Sequence, residues 1–506
     1  MSSAAQFDVY EEGLRLSAKG QHAQAIERFE HALMRSPDDV RVLFALGNTA
    51  RSLDMPGAAE GFFRRVLVQD PDRLEALVNL ANLLREQGNF RAAEALLEPA
   101  LARDPASAEL WLTLGSVYRE TGDRVRALEY YREALGLQPN YAPALGNLAD
   151  LLADDGAVDE ALSLYDRVLQ LQRDNARARM NRAILHLLNG DLKSGWRDYE
   201  ARLRIPGKIP LVDHKLVRWS GGPLARQRLL ITAEQGIGDQ IMFASVLPDL
   251  ARRAEREGGS LILECEPRLA TLFTRSFPFM TVRGWDSETR GGVAMTRYSW
   301  LKGVGGATSA IEMGSLPRYL RPALDAFPRP NAYLVPDTEE QSRWRSVFRH
   351  GPAIGICWRS GKAGGHRSLQ YAPLESWAAA LRDLPATIVS VQYDATPDEI
   401  MLLEELSGKK ILVPEGIDQK KELDRACALM TALDAVISAP TAVSWLAASA
   451  GVPTCKVLYD TSWTSFGENR EPFAPACNCV APEQRGDWSD CLGKAIDALS
   501  AQLSSG

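Results

Sequence analysis

Small and bulky side chains recur every 34 residues through the N-terminal part of the chain. Each unit has a small residue, then a turn residue seven positions later, then a second small residue and a bulky one. The bulky positions are Phe29, Phe63, Leu97, Tyr131, Tyr165 and Tyr199. Two antiparallel helices approach closely only where side chains are small, so each unit predicts a helical hairpin.

Turn and end positions support this interpretation. The turn residues are Gly20, Asp54, Gly88, Gly122, Gly156 and Gly190, and glycine fits the left-handed position that ends a helix. Pro37, Pro71, Pro105 and Pro139 close the first four units, because proline cannot continue a helix. The pattern resembles the tetratricopeptide repeat (TPR), in five regular units and a degenerate sixth. We therefore predict an all-α solenoid over residues 1–203.

Such a solenoid curves and presents a concave face, which commonly holds a peptide or a protein. The alternative is a surface used only for dimerisation or as a scaffold. Asn48, Asn82 and Asn147 fall near the inner helices. They either contact a bound peptide backbone or are ordinary solvated side chains.

Beyond the solenoid the pattern changes. Residues 204–227 contain several prolines and glycines and read as a linker. Short apolar strands then alternate with helices, which predicts parallel sheets covered on both faces. We expect two such lobes, 228–335 and 336–506, with ligands bound between them at the carboxyl ends of strands. The predicted strands begin at Leu229, Leu261, Ala353, Thr387, Ala435 and Thr454, and a helix is predicted from Gln240 to Arg253.

The first candidate motif joins a strand to a helix and reads Glu234-Gln-Gly-Ile-Gly-Asp-Gln. Gly236 and Gly238 favour a tight turn near a ligand, and the helix N-terminus directs its free N–H groups toward it. Asp239 lies at the start of that helix, where it is either functional or a simple N-cap. The third glycine of a dinucleotide-binding motif is absent, which disfavours a dehydrogenase.

Two further motifs follow strands. The first is a glycine-rich loop with four basic residues, Arg359, Lys362, His366 and Arg367. Either these side chains stabilise a phosphate leaving group, or the loop is only a solvated basic segment. Ser438-Ala-Pro-Thr leads into a helix rich in small residues. Thr441 and Ser444 either cap this helix or bind a phosphate at its N-terminus.

Together these motifs resemble a family in which TPRs precede a two-lobed GT-B glycosyltransferase domain similar to bacterial heptosyltransferases. Ser315-Leu-Pro-Arg, Tyr333-Leu-Val-Pro-Asp and Ile354-Gly-Ile-Cys-Trp also fit the family. O-GlcNAc transferase is a more distant analogue. The resemblance implies a metal-independent enzyme that needs no cofactor and uses a nucleotide sugar as donor.

The resemblance also implies residue roles. Asp239 is the general base, and the donor contacts are Gly236, Gly238, Gln240, Arg359, Lys362, Arg367, Gln392, Ser438 and Thr441. The chain departs from the family in the third motif, where Pro440 replaces an aspartate and Trp445 a histidine. The Pro-Thr-Ala form is similar to TPR glycosyltransferases that modify bacterial flagellin, whose donor can be a nonulosonic acid such as pseudaminic acid.

Composition excludes several classes of protein. A net charge of −7 gives no overall attraction to nucleic acids or anionic membranes. The seven cysteines, an odd number without metal-site spacing, are expected to be free thiols. The sequence shows no signal peptide and no stretch that predicts a membrane span, so we expect a cytoplasmic protein.

Two functions are consistent with these patterns. The first is a protein O-glycosyltransferase whose solenoid recruits a protein acceptor, for example flagellin, and whose cleft transfers a sugar to its Ser or Thr. The second is a non-catalytic adaptor that has kept a degenerate glycosyltransferase-like domain, as the changes at Pro440 and Trp445 suggest.

Overall fold

The chain forms two compact units, Met1–Ala178 and Arg179–Gly506. A computed structural model describes residues 3–206, 211–234, 236–290, 293–328, 332–349, 351–361 and 370–504. The first unit is helical, and its helices are α1 (Ser3–Ala18), α2 (His22–Arg35), α3 (Val40–Ser52), α4 (Pro56–Gln69), α5 (Leu74–Glu86), α6 (Phe90–Arg103), α7 (Ala108–Thr121), α8 (Arg124–Leu137), α9 (Ala142–Asp154) and α10 (Val158–Leu171). Helix α11 (Ala176–Leu188) crosses the division.

The predicted repeat geometry is confirmed at its turns. All the turn glycines have positive φ, from 74° at Gly20 to 84° at Gly122, and Asp54 adopts φ 56° at the equivalent position. The backbone therefore requires the left-handed conformation at each hairpin, which glycine adopts without steric cost.

The packing of small against bulky positions is also confirmed. A Cβ atom added at Gly47 would lie 2.6 Å from Phe63 Cε1, and one at Gly115 would lie 2.9 Å from Tyr131 Cε1. The ring of the second helix thus occupies the space that a side chain on the first helix would need. Phe63 and Tyr131 are fully buried as a result.

The second unit contains two parallel sheets with helices around them. Its first lobe comprises α12 (Leu192–Tyr199), β1 (Leu211–Val212), β2 (Val217–Arg218), β3 (Arg228–Thr232), α13 (Ile237–Ala244), α14 (Leu247–Glu257), β4 (Ser260–Cys265), α15 (Ala270–Ser276), β5 (Thr281–Gly284), β6 (Ser287–Arg290), β7 (Val293–Thr296), β8 (Ser309–Glu312) and α16 (Pro317–Leu320). The parallel strand order is β2-β8-β3-β4-β5, and β1, β7 and β6 form a small separate sheet.

The second lobe comprises α17 (Thr338–Val347), β9 (Ala353–Cys357), α18 (Leu374–Leu381), β10 (Thr387–Ser390), α19 (Pro397–Ser407), β11 (Ile411–Leu412), α20 (Leu423–Met430), β12 (Ala435–Ser438), α21 (Ala442–Ser449), β13 (Thr454–Val457), β14 (Cys477–Val480) and α22 (Trp488–Ser504). Its strands are all parallel, in the order β11-β10-β9-β12-β13-β14. Because parallel strands share one carboxyl edge, loops that follow different strands meet there.

The structure differs from the sequence prediction in several details. The predicted linker contributes β1 and β2, and β2 pairs with β8 through Val217 and Ser309. The helix predicted from Gln240 to Arg253 is two helices, because Pro248 in the first turn of α14 lacks the N–H that a continuous helix needs. The second unit begins at Arg179, so the degenerate sixth repeat belongs to it rather than to the first unit.

Helix α12 shows why the division falls there. Trp196 packs against Trp463, Phe466 and Phe473 with ring centroids 5.7–6.4 Å apart. Its indole N–H donates to the carbonyl of Arg321 at 2.9 Å. All these partners lie in the second unit, and this burial holds α12 there.

Candidate functional site

A cleft of ≈ 470 Å³ lies between the two lobes of the second unit. The first lobe contributes residues that follow β3, β4 and β5, among them Gly236, Glu266 and Trp285. The second lobe contributes residues that follow β9, β10 and β12, among them Ser360, Tyr393 and Thr441. The cleft therefore lies where the carboxyl ends of two parallel sheets face each other, the position expected for a ligand site.

The glycines of the first motif line this cleft and have different roles. Gly236 is the N-cap of α13 with φ −63°, so its backbone does not require glycine. Gly238 allows close packing, because a Cβ atom there would lie 3.2 Å from Trp445 Cδ1 and 3.5 Å from the Ala442 Cα. The missing side chain at Gly238 thus lets α13 of one lobe approach α21 of the other.

Asp239 is the third residue of α13, in its first turn. The N-cap is Gly236, so the interpretation of Asp239 as an N-cap is wrong. Its charge helps to raise the pKa of Tyr199, which burial raises most. Asp239 is partly buried and is not among the described residues that line the cleft. Its role as a general base stays a prediction.

Gln240 is buried, with 1% of its surface exposed, and its side-chain oxygen accepts a hydrogen bond from Glu266 N at 2.8 Å. It therefore fixes the segment after β4 to α13. Glu266 itself lines the cleft. The buried Gln240 therefore holds a residue of the cleft wall in place through this hydrogen bond.

The basic loop after β9 is described as far as Gly361. Arg359 donates to both carboxylate oxygens of Glu399, at 2.5 and 2.8 Å, and to Asp394 Oδ1 at 3.1 Å. Burial alone would raise the pKa of Glu399, but hydrogen bonds, first of all from Arg359, lower it to about 2. The charge of Arg359 is thus compensated within the protein. Lys362, His366 and Arg367 lie outside the described residues.

Gln392 holds the same loop in place. Its side-chain oxygen accepts from the backbone N–H groups of Trp358 and Arg359, both at 3.0 Å, and its amide donates to the Arg359 carbonyl at 3.0 Å and to Asp394 Oδ1 at 2.7 Å. Next to it, the hydroxyl of Tyr393 accepts from Gly361 N at 2.6 Å. The predicted donor contacts Arg359 and Gln392 therefore serve to fix the wall formed by Ser360 and Gly361.

In the third motif, Thr441 lines the cleft and caps α21, since its hydroxyl accepts from Val443 N at 3.2 Å. Capping by Thr441 is thus confirmed. Ser438 is fully buried and donates to the Ala439 carbonyl at 2.7 Å, which leaves it no exposed surface for a ligand. Ser444 is also fully buried and donates back to the Thr441 carbonyl at 2.8 Å.

The two positions that depart from the family have different environments. Pro440 is exposed. Trp445 is buried beneath the cleft wall, with the Lys456 ammonium 3.8 Å from its ring centroid. Lys456 forms a buried ion pair with Glu471. A large aromatic ring at position 445 therefore packs close to Gly238 and against a buried cation.

Several cleft residues were missed by the sequence prediction. They are Glu266, Arg268, Trp285, Tyr393, Gln419 and Lys420. Arg268 also donates to the Lys420 carbonyl at 2.9 Å and so links the two lobes. Glu266 and Tyr393 closely follow predicted strands, which was a usable signal. Gln419 and Lys420 follow no predicted strand, so the sequence offered no signal for them.

Comparison with known families identifies the N-terminal region. Models of the tetratricopeptide repeat match residues 10–73, 78–142 and 118–185. The N-terminal region is a TPR array. No described helix combines the length and the apolar surface that crossing a membrane requires.

One curated relative is similar to this chain over more residues than the first unit contains. Protein FlbA of Caulobacter vibrioides is 34% identical over 322 residues, which is 63% of this chain and 54% of that protein. The chain thus spans about half the length of this relative.

Three solved structures are similar to a part of the chain. A thermophilic TPR protein of Thermus thermophilus is 26% identical, covers 36% of this chain and 99% of its own, and gives a TM-score of 0.33. MamA is 25% identical over 33% of this chain and 96% of its own, with a TM-score of 0.28. Pseudomonas aeruginosa PilF is 24% identical over 40% of this chain and 93% of its own, with a TM-score of 0.34.

Proposed function

We propose that this chain is a protein O-glycosyltransferase with a two-lobed domain of the GT-B type. The observation that carries the proposal is the cleft at the carboxyl ends of two parallel sheets, lined by both the glycine motif and Thr441. A TPR array in the same chain supports a protein acceptor, because such arrays bind proteins.

The donor of this reaction is a nucleotide sugar. The first turns of α13 and α21 both contribute to the cleft wall, through Gly238 and Val443 among others. The free N–H groups at such helix starts favour anions, so they would stabilise the phosphate that leaves with the nucleotide. Of the predicted phosphate ligands, Arg359 takes part only if it releases Glu399 and Asp394.

Asp239 accepts the proton of the acceptor hydroxyl as its oxygen attacks the anomeric carbon. A general base must come within roughly 3 Å of that oxygen, directly or through one water. Because Asp239 follows the cleft-lining Gly238 in the same helical turn, the acceptor would approach from the side of this turn.

The acceptor is a protein recruited by the TPR array, and flagellin is one candidate. The 322 residues of similarity to Protein FlbA exceed the length of the first unit, so part of this similarity lies in the second unit. What that protein does is therefore a lead for the second unit of this chain.

Replacing Asp239 tests the proposal. Glycan occupancy of cellular proteins is measured by mass spectrometry in a strain that lacks the gene and expresses wild type, Asp239→Asn or Asp325→Asn at equal levels. Asp325 is a carboxylate of the first lobe outside the residues that line the cleft and serves as the control. We expect Asp239→Asn to lower the initial rate of glycosylation by roughly 10²–10⁴-fold, the usual contribution of a general base.

Wild-type occupancy with Asp239→Asn would remove this residue from the mechanism. Loss of occupancy with Asp325→Asn as well would indicate a folding effect instead.

The second candidate is an adaptor whose C-terminal domain no longer turns over. The observation that favours it is that Gln392, Ser438 and Arg359 all bind groups within the protein. Calorimetric titration with UDP, GDP, CMP and dTDP, and with one sugar-linked form of each, separates the two functions. Binding of at least one compound supports the enzyme, and no binding supports the adaptor.

A further inference from the structure

Glu234 of the first motif takes part in a buried ion pair. Glu234 closely follows β3, and its carboxylate accepts from Arg202 Nη2 at 2.6 Å and from Arg202 Nε at 3.1 Å. Both side chains are almost fully buried, with 3% of Arg202 and 2% of Glu234 exposed. Such a pair stabilises a structure only when its remaining hydrogen-bonding groups are satisfied.

Arg202 meets this condition, because all five of its N–H donors have acceptors. Besides the two bonds to Glu234, Nη1 donates to the Tyr199 carbonyl at 3.2 Å and to Glu200 Oε1 at 3.3 Å. Nη2 also donates to Ser315 Oγ at 2.8 Å. The planar fork of arginine is required here, since a lysine has three donors at a single point.

The backbone around the pair is adapted to it. Gly314 N donates to Glu234 Oε1 at 2.8 Å. A Cβ atom at Gly314 would lie 2.6 Å from the same oxygen and 3.2 Å from Arg202 Nη2. Glycine at 314 thus leaves the space in which the carboxylate and guanidinium meet.

The same guanidinium also packs on an aromatic ring. It lies 4.6 Å from the ring centroid of Tyr199. Burial raises the pKa of Tyr199, and the charges of Asp239 and Glu234 raise it further, whereas Arg202 lowers it. Tyr199 is therefore a protonated, uncharged ring against which the Arg202 guanidinium packs.

We infer that Arg202 is a positioning residue for the turn that carries Asp239, acting through Glu234. The inference rests on the proposed function, because it assigns a role in the same site. Arg202 falls within the 1–203 region that the sequence assigns to the repeat array, yet it lies in the second unit. The end of the degenerate repeat is thus a structural part of the candidate catalytic centre.

Hydrogen exchange of the full chain tests this without any ligand. Arg202→Lys keeps the charge but loses the fork, and Gly314→Ala disturbs the pair from the backbone side. We expect exchange of peptides covering residues 230–244 to accelerate at least tenfold in both variants. Peptides covering β9 to β12 should stay within twofold of wild type.

Each variant has a matched control. Arg321 is also buried, with 2% of its side chain exposed, and pairs with Asp249 instead of Glu234. Gly303 lies in a helical turn of the same lobe, and no atom of the described residues is within 4 Å of an added Cβ. Arg321→Lys and Gly303→Ala should leave residues 230–244 within twofold of wild type. Unchanged exchange at 230–244 in Arg202→Lys and Gly314→Ala, or equal acceleration throughout the second unit, would overturn the inference.

The functional consequence is measured with the cellular glycosylation assay at equal protein levels. We expect Arg202→Lys and Gly314→Ala to slow the initial rate at least tenfold, and the two controls to stay within twofold. A wild-type rate for Arg202→Lys beside an inactive Asp239→Asn would refute the positioning role alone. An active Asp239→Asn would refute the proposed base, while the exchange result still decides whether Arg202 holds the turn.

Discussion

Gly238 lies where helices of the two lobes meet, so its lack of a side chain sets how closely they pack. The leucine side chain of Gly238→Leu would clash with Trp445, because even a Cβ atom at position 238 would lie only 3.2 Å from Trp445 Cδ1. Overpacking of this kind lowers the free energy of unfolding by about 1–3 kcal/mol. Urea denaturation should show this loss, and Gly303→Ala, which adds a Cβ in open space, should stay near wild type. Equal stability of Gly238→Leu and wild type would contradict the packing role.

Glu399 gives a pH dependence that follows from its ion pair with Arg359. The pKa of this carboxyl is about 2, below its ordinary value of 4.5. A lowered pKa in the folded state stabilises the protein above pH 4.5 and loses that effect as the pH falls toward 2. We expect wild type to be more stable than Glu399→Gln at neutral pH and the difference to shrink between pH 4.5 and 2. A difference independent of pH in urea titrations would refute the assignment.

Residue roles were predictable where they depend on neighbours in the sequence. Thr441 caps the helix that begins next to it, as expected. The ion pair of Arg359 could not be predicted in the same way, because its partner Glu399 is 40 residues away. Nothing near Gly238 indicates that it faces Trp445, which lies in another lobe. Long-range pairing of this kind has no local sequence signature.

At the scale of elements, the hairpin turn of each repeat depends on one left-handed residue. Asp54 occupies this position with φ 56°, where the other repeats have glycine. A non-glycine residue in this conformation costs about 1 kcal/mol, so Asp54→Gly should raise local stability by about that amount. Native-state hydrogen exchange of amides in α3 and α4 measures the effect. Gly122→Ala, at φ 84°, should lower the stability of its own hairpin by a similar amount. A loss of stability in Asp54→Gly together with a gain in Gly122→Ala would contradict this explanation.

Helices and strands with a strong periodic pattern of apolar residues were predictable from the sequence. Short elements without such a pattern were not. The strand expected from Leu229 is β3 (Arg228–Thr232), and that from Ala435 is β12 (Ala435–Ser438). Strand β2 was missed because two residues, Val217 and Arg218, carry no periodicity and are a strand only through pairing with β8. The parallel sheets followed from strand and helix alternation, whereas their strand order required the structure.

At the scale of the whole molecule, a TPR array and an α/β unit with an interlobe cleft occur in one chain. The sequence placed the end of the array at residue 203. The structure divides the units after Ala178, because Trp196 and Arg202 are buried among residues of the second unit. A repeat pattern in the sequence predicts which helices pair with each other. It does not indicate in which of the two units the last helix pair is buried.

We propose that this chain attaches a sugar to a protein. The decisive measurement is mass spectrometry of intact cellular proteins from a parental strain and from a strain lacking the gene. We predict that at least one protein loses a glycan of defined mass from Ser or Thr in the deletion strain, and that the wild-type gene restores it. Identical glycan masses on all detected proteins in the two strains would contradict the account.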